Sequence, residues 1–131
     1  MINWRDVWKE VSDTHPNALV LLFAWYEKTY ARKLTIDESV DIGTLYYYLS
    51  GAYVNLNIRD LFDFFDAEGI YITMSATDFG AKIDAPFRFG WDIRRNSSPI
   101  VQDEGRLDSR TEAEQQAFTK AFSILEERLN K

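Results

Sequence analysis

The sequence predicts an α+β fold, with N-terminal helices packed with a small antiparallel β-sheet of two to three strands and a long C-terminal helix covering that sheet. Three observations carry this expectation. Phe87, Phe89, Trp91 and Ile93 alternate with Arg88, Gly90, Asp92 and Arg94, the period of two of a strand with one buried and one wet face. Residues 18–26, Ala-Leu-Val-Leu-Leu-Phe-Ala-Trp-Tyr, are apolar without interruption, which places a helix deep in the N-terminal half. Ala113, Ala117, Phe118, Ala121, Phe122, Leu125 and Leu129 form one stripe at helical spacing, and its alanines allow close approach to a sheet.

Taken in order, Asn3 is placed to cap a first helix in which Trp4, Val7, Trp8 and Val11 fall on one face. Residues 12–16, ending His15-Pro16, break it. A second helix follows over residues 17–33, with Arg32 and Lys33 at its negatively polarised end. Thr35-Ile36-Asp37-Glu38 has capping-box spacing and opens a third helix to about Ser50, stopped by Gly51. Asn57 caps a further helix in which Ile58, Leu61, Phe62 and Phe65 share a stripe, and Gly69 ends it. From Ile70 the period changes to two: Ile70, Ile72, Met74 and Ala76 alternate with Tyr71, Thr73, Ser75 and Thr77, a strand. Residues 78–85 return the chain into the Phe87–Ile93 strand. Asn96-Ser97-Ser98-Pro99 is a turn, and residues 100–102 offer a short third strand. Ser109-Arg110-Thr111-Glu112 is a second capping box and opens the last helix. With 131 residues and no linker or repeat, the expected organisation is a single domain over 1–131, helical over 1–56 and helix–strands–helix over 57–131.

Composition narrows the chemistry. The absence of cysteine excludes disulfides, thiolate nucleophiles and cysteine metal sites. His15 is the single histidine; before a proline it reads as a solvent-exposed turn residue, so histidine general-base and zinc templates lack their residues. No nucleophile elbow, phosphate-binding glycine loop or dinucleotide fingerprint occurs. No cofactor, metal site or catalytic residue is therefore expected. The longest apolar run is about half the ~20 residues that span a bilayer. The N-terminal residues carry no secretory pattern, and the expected setting is cytoplasmic. Fifteen Lys and Arg against twenty-one Asp and Glu leave a formal charge of −6, a field that repels nucleic acid and attracts basic protein surfaces.

Two sets of residues are candidates for binding. Asp60, Asp63 and Asp66 recur every third position of their helix and would line one outward acidic face, although like charges at that spacing cost a few tenths of a kcal/mol. Arg88, Arg94 and Arg95 lie on or just beyond the central strand and, with Tyr71 or Tyr53, could imitate a base-stacking surface for nucleic acid. The sixteen Phe and Tyr and four Trp exceed what one core of this size requires, and Trp4 and Trp8 on the first helix could serve self-association.

From Asn57 to Leu129 the order of elements is similar to that of a double-stranded-RNA-binding domain. Ser109-Arg110-Thr111-Glu112-Ala113-Glu114 falls where that family opens its final helix with lysines around an alanine; Thr111, Glu112 and Glu114 stand there instead. The family's Gly-Pro-x-His loop has no counterpart in residues 77–86. The resemblance implies a shared arrangement without the phosphate clamp. Arg110-Thr111-Glu112-Ala113 leading into Ala121-Phe122-Ser123-Ile124-Leu125-Glu126 also resembles the end of small uncharacterised proteins of phages and gut-type bacteria, implying a mobile-element accessory protein.

The expectation is thus a small, acidic, non-enzymatic protein-interaction module, phage-related by resemblance, that engages a basic protein surface through Asp60, Asp63 and Asp66. The alternative is a nucleic-acid-binding domain using Arg88, Arg94 and Arg95.

Overall fold

The structure, a computed structural model, describes residues 4–30, 58–78, 87–102 and 107–131. Its element order is α1 (Trp4–Thr14), α2 (Pro16–Tyr30), α3 (Ile58–Ala67), β1 (Ile70–Asp78), β2 (Phe87–Arg95), β3 (Val101–Gln102) and α4 (Arg110–Leu129). This is the α+β class, with N-terminal helices, a three-stranded antiparallel sheet and a long C-terminal helix. The helix expected to follow Thr35, Tyr53, and the returns through residues 79–86 and 103–106 lie outside the described residues.

By its contacts the chain forms two compact units: Met1–Ile2 with Phe65–Ala121, and Asn3–Phe64 with Phe122–Lys131. Helices α3 and α4 therefore each contribute residues to both.

In the first unit the sheet has the order β1-β2-β3. β1 and β2 pair over nine residues without a bulge, from Ile70↔Arg95 to Asp78↔Phe87. On its other side β2 pairs with β3 through Ile93↔Val101 and with Leu107 through Phe89, whose N–H donates to the Leu107 carbonyl at 2.8 Å while the Leu107 N–H donates back at 3.0 Å. Directly opposed residues share a face. Ile70, Ile72 and Met74 therefore join Phe89, Trp91 and Ile93 on one side. Helix α4 lies on that side: the Arg110 guanidinium stands 5.8 Å from the Phe89 ring centre, and the Trp91 Nε1–H donates to Gln116 Oε1 at 3.4 Å. Phe65, in the last turn of α3, stacks with Phe118 at 6.4 Å between ring centres. Ala113, Ala117, Phe118 and Ala121 are fully buried, the inward stripe that the sequence predicts.

In the second unit Val7 and Val11 of α1 are buried, as are Leu19, Leu22, Phe23 and Tyr26 of α2 and Phe122 and Leu125 of α4. Trp25 meets Phe64 edge to face at 5.9 Å. The apolar run does not bury α2 all round: Val20 is 41% exposed and Ala24 is exposed as well. These two sit with Asn17 and Lys28 on one stripe, opposite Leu19, Leu22, Phe23 and Tyr26. Leu129, at the end of the C-terminal stripe, is also 41% exposed, because the last turn of α4 outruns the core.

The helix ends follow local chemistry. The hydroxyl of Ser109 accepts from the Glu112 N–H at 3.1 Å, the expected cap of α4. Gly69 closes α3 at φ +75° with its N–H on the Asp66 carbonyl at 3.0 Å, a conformation natural to glycine. The α1–α2 break is a single residue. His15 N–H still bonds the Val11 carbonyl at 2.7 Å, and Pro16 takes the first helical position of α2, where its missing N–H costs nothing.

Candidate interaction surface

The sheet has a second face, and the β1–β2 register defines its membership. Tyr71 stands opposite Arg94, Thr73 opposite Asp92 and Ser75 opposite Gly90; Arg88 completes the row on β2, and Gln102 of β3 pairs with Asp92. Tyr71 is 44% exposed, Thr73, Ser75, Arg94 and Gln102 are exposed, and Arg88 and Asp92 are half-buried. Two ion pairs order the row. Arg88 is bridged to Asp108 in the approach to α4, and Arg94 Nε lies 3.5 Å from Asp92 Oδ1, two residues back on the same strand. The second distance is an ion-pair contact too long for a good hydrogen bond.

The three arginines do not form one patch. Strand β2 runs through Arg95, so the alternation continues and Arg95 falls on the α4 side, opposite Ile70. Its Nε is buried without a hydrogen-bond partner. Arg88 and Arg94 share the open face but stand six residues apart, about 20 Å along a strand, each beside a carboxylate.

The aspartates divide in the same way. Asp60 is only 3% exposed, whereas Asp63 is half-buried and Asp66 exposed. The buried stripe of α3 is Asp60, Leu61, Phe64 and Phe65, not Ile58, Leu61, Phe62 and Phe65. Phe64 rotates the stripe by about one residue, carrying Asp60 inward and leaving Phe62 half-buried. Asp63 forms an i,i+4 pair with Arg59 at 3.2 Å, an exposed contact worth a few tenths of a kcal/mol. The outward acidic face is therefore Asp63 and Asp66 alone.

Two carboxylates to which the sequence assigns no place, Glu126 and Glu114, are buried. Glu126 is 5% exposed, and its Oε1 accepts the backbone N–H of Asn17 at 2.7 Å, 109 positions away. That N–H belongs to the first turn of α2, which has no intrahelical partner for it, and the positive end of the helix favours the carboxylate. Asn17 Nδ2 adds a 3.0 Å bond to Asn130 Oδ1. Ser12 Oγ, His15 Nδ1 and Glu126 Oε2 are buried near this junction without hydrogen-bond partners, so His15 is half-buried where the sequence placed it in solvent. Glu114, 7% exposed on α4, has an unpartnered Oε2. Desolvation raises its pKa above the ordinary 4.5, opposed in part by the Arg110 charge one turn earlier.

Among the described residues no cluster of three or more His, Cys, Asp or Glu is arranged to hold a metal ion, and no helix is long and apolar enough to cross a membrane. No family model, curated protein or solved structure matches the chain. The side chains of Trp4 and Trp8 lie outside the described ones.

Proposed function

We propose that this chain is a non-enzymatic protein-interaction module whose contact surface is the open face of the β1–β2 hairpin. The observation that carries the reading is the exposed cross-strand pair Tyr71–Arg94. Tyrosine and arginine are among the residue types that most often dominate binding energy at protein interfaces, tyrosine by offering a large amphipathic area at small entropic cost and arginine by its planar fork of donors. Here the hairpin backbone fixes both. The hydroxyls of Thr73 and Ser75 and the amide of Gln102 surround them with groups suited to a polar rim. The formal charge of −6 favours a basic partner and its electrostatic steering, to which Asp63 and Asp66 contribute.

The same pair supports a second reading, because an aromatic ring beside a guanidinium on an open sheet face also suits nucleic-acid bases. Arg88 and Arg94 would be its phosphate contacts, yet each already stands beside a carboxylate. Gel retardation separates the two readings. The protein-binding reading expects no shift of duplex or single-stranded RNA or DNA at low salt. A salt-sensitive shift lost in Arg94→Ala would install the nucleic-acid reading in its place.

A further inference from the structure

Strand β2 runs into the turn Asn96-Ser97-Ser98-Pro99, whose four residues are all exposed. Arg95↔Ile70 is the last pair towards β1, and Asp92↔Gln102 and Ile93↔Val101 are the pairs that tie β2 to β3, so residues 96–98 lie outside both ladders. Ser97 has φ +60° and is the one non-glycine residue with positive φ among the described residues. For an L side chain that conformation costs about 1–2 kcal/mol. Among the described residues no hydrogen bond involves the Asn96 carboxamide, and the Ser97 N–H donates to no backbone carbonyl.

We propose that Asn96 is a site of spontaneous deamidation through a succinimide. Asparagine is a thermolabile residue, because its carboxamide carbon lies within reach of the next backbone nitrogen. Here the deprotonated Ser97 nitrogen attacks Asn96 Cγ, and a new C–N bond closes a five-membered ring. The bond from Cγ to the carboxamide nitrogen breaks, and that nitrogen leaves as ammonia with the proton taken from the Ser97 N–H. Water then opens the ring at one carbonyl to give aspartate, or at the other to give isoaspartate. No oxidant, cofactor or enzyme is needed. Ring closure requires the backbone at Asn96 and Ser97 to rearrange, and a turn that is solvated, outside the ladders and strained at Ser97 yields most readily.

The other asparagines set the contrast. Asn17 also precedes a small residue, Ala18, but it lies in the first turn of α2, with its N–H on Glu126 Oε1 and its Nδ2 on Asn130 Oδ1, and Ala18 is fully buried. Asn130 is held by that same bond. Asn3, Asn55 and Asn57 precede Trp4, Leu56 and Ile58, whose bulk hinders approach of the nitrogen. Conversion at Asn96 takes the formal charge from −6 to −7. It adds a carboxylate two residues from Arg94, the spacing at which Asp92 already approaches that guanidinium at 3.5 Å. The inference is independent of what the open face binds.

The test is to hold the purified full-length protein at mildly alkaline pH and sample it over time by ion exchange and by peptide mapping with mass spectrometry. An acidic form should accumulate, map to residue 96 and contain more isoaspartate than aspartate. Its rate should exceed that of conversion at Asn17 at least tenfold, and should rise with pH because the attacking nitrogen must first lose its proton. Asn96→Gln, which would have to close a slower six-membered ring, should abolish the acidic form. In urea, where α2 no longer shields it, Asn17 should gain on Asn96. Equal rates at Asn96 and Asn17 in the folded protein would overturn the proposal, as would an Asn96 that stays intact while another asparagine converts, or aspartate formed without isoaspartate.

Discussion

Glu126 shows how a single side chain ties distant parts of the sequence. Its carboxylate holds the first turn of α2 from the far end of the chain, at 2.7 Å from the Asn17 nitrogen. Glu126→Ala removes the acceptor of that partly exposed N–H and is expected to destabilise by about 1 kcal/mol. Glu126→Gln, which retains an acceptor but removes the charge from the helix end, should cost less. Urea midpoints of the two variants check the order. At Glu114 burial acts against the ionised form. Its folded pKa lies above the unfolded value because burial penalises the ionised form. Below the ordinary 4.5 the carboxyl is neutral in both states and imposes no penalty. As pH rises from there through the raised folded value, the unfolded chain releases its proton first and stability falls. Glu114→Gln should therefore flatten the decline above pH 4.5, as read from Tm against pH. An unchanged profile would show that the carboxyl is hydrated when folded.

At the scale of elements, the sequence reveals most where periodicity and caps agree. Strand β2 was legible because Phe89, Trp91 and Ile93 alternate with polar residues, and the start of α4 because Ser109 and Glu112 have capping-box spacing. That cap is now a 3.1 Å bond, and Ser109→Ala should lower stability by about 1 kcal/mol, measurable as a shift of the thermal midpoint. The misplacements have separate local causes. In α3 four aromatic or aliphatic residues lie within five positions, Leu61, Phe62, Phe64 and Phe65, so two stripes fit equally well, and tertiary packing chooses the one that takes Asp60 inward. In α2 an all-apolar segment carries no polar face to orient it, and burial alone exposes Val20. Arg95 groups with Arg88 and Arg94 in the sequence only if the strand ends at Ile93; because β2 continues through Arg95, the alternation puts the adjacent Arg94 and Arg95 on opposite faces. Glu114 and Glu126 had no sequence signal at all, because what buries them lies far away in the chain.

At the scale of the whole molecule, the sequence argues for binding through an acidic helix, and the surface proposed here is instead the open face of the sheet. Asp60 is lost to the interior and Asp63 is paired with Arg59, whereas Tyr71 is exposed opposite Arg94, which itself stands beside Asp92. On the proposed reading, the net charge of −6 would act as a field that speeds encounter with a basic partner and disfavours polyanions. Local contacts on the hairpin set how long a partner stays. The most direct measurement is calorimetric titration of a purified protein partner, recovered by affinity capture and mass spectrometry, into wild type, Tyr71→Ala and Asp66→Lys. The account predicts that Tyr71→Ala weakens binding by about tenfold or more, while Asp66→Lys alters mainly its salt dependence. Wild-type affinity in Tyr71→Ala, with binding lost in Asp66→Lys instead, would contradict it and return the interface to helix α3.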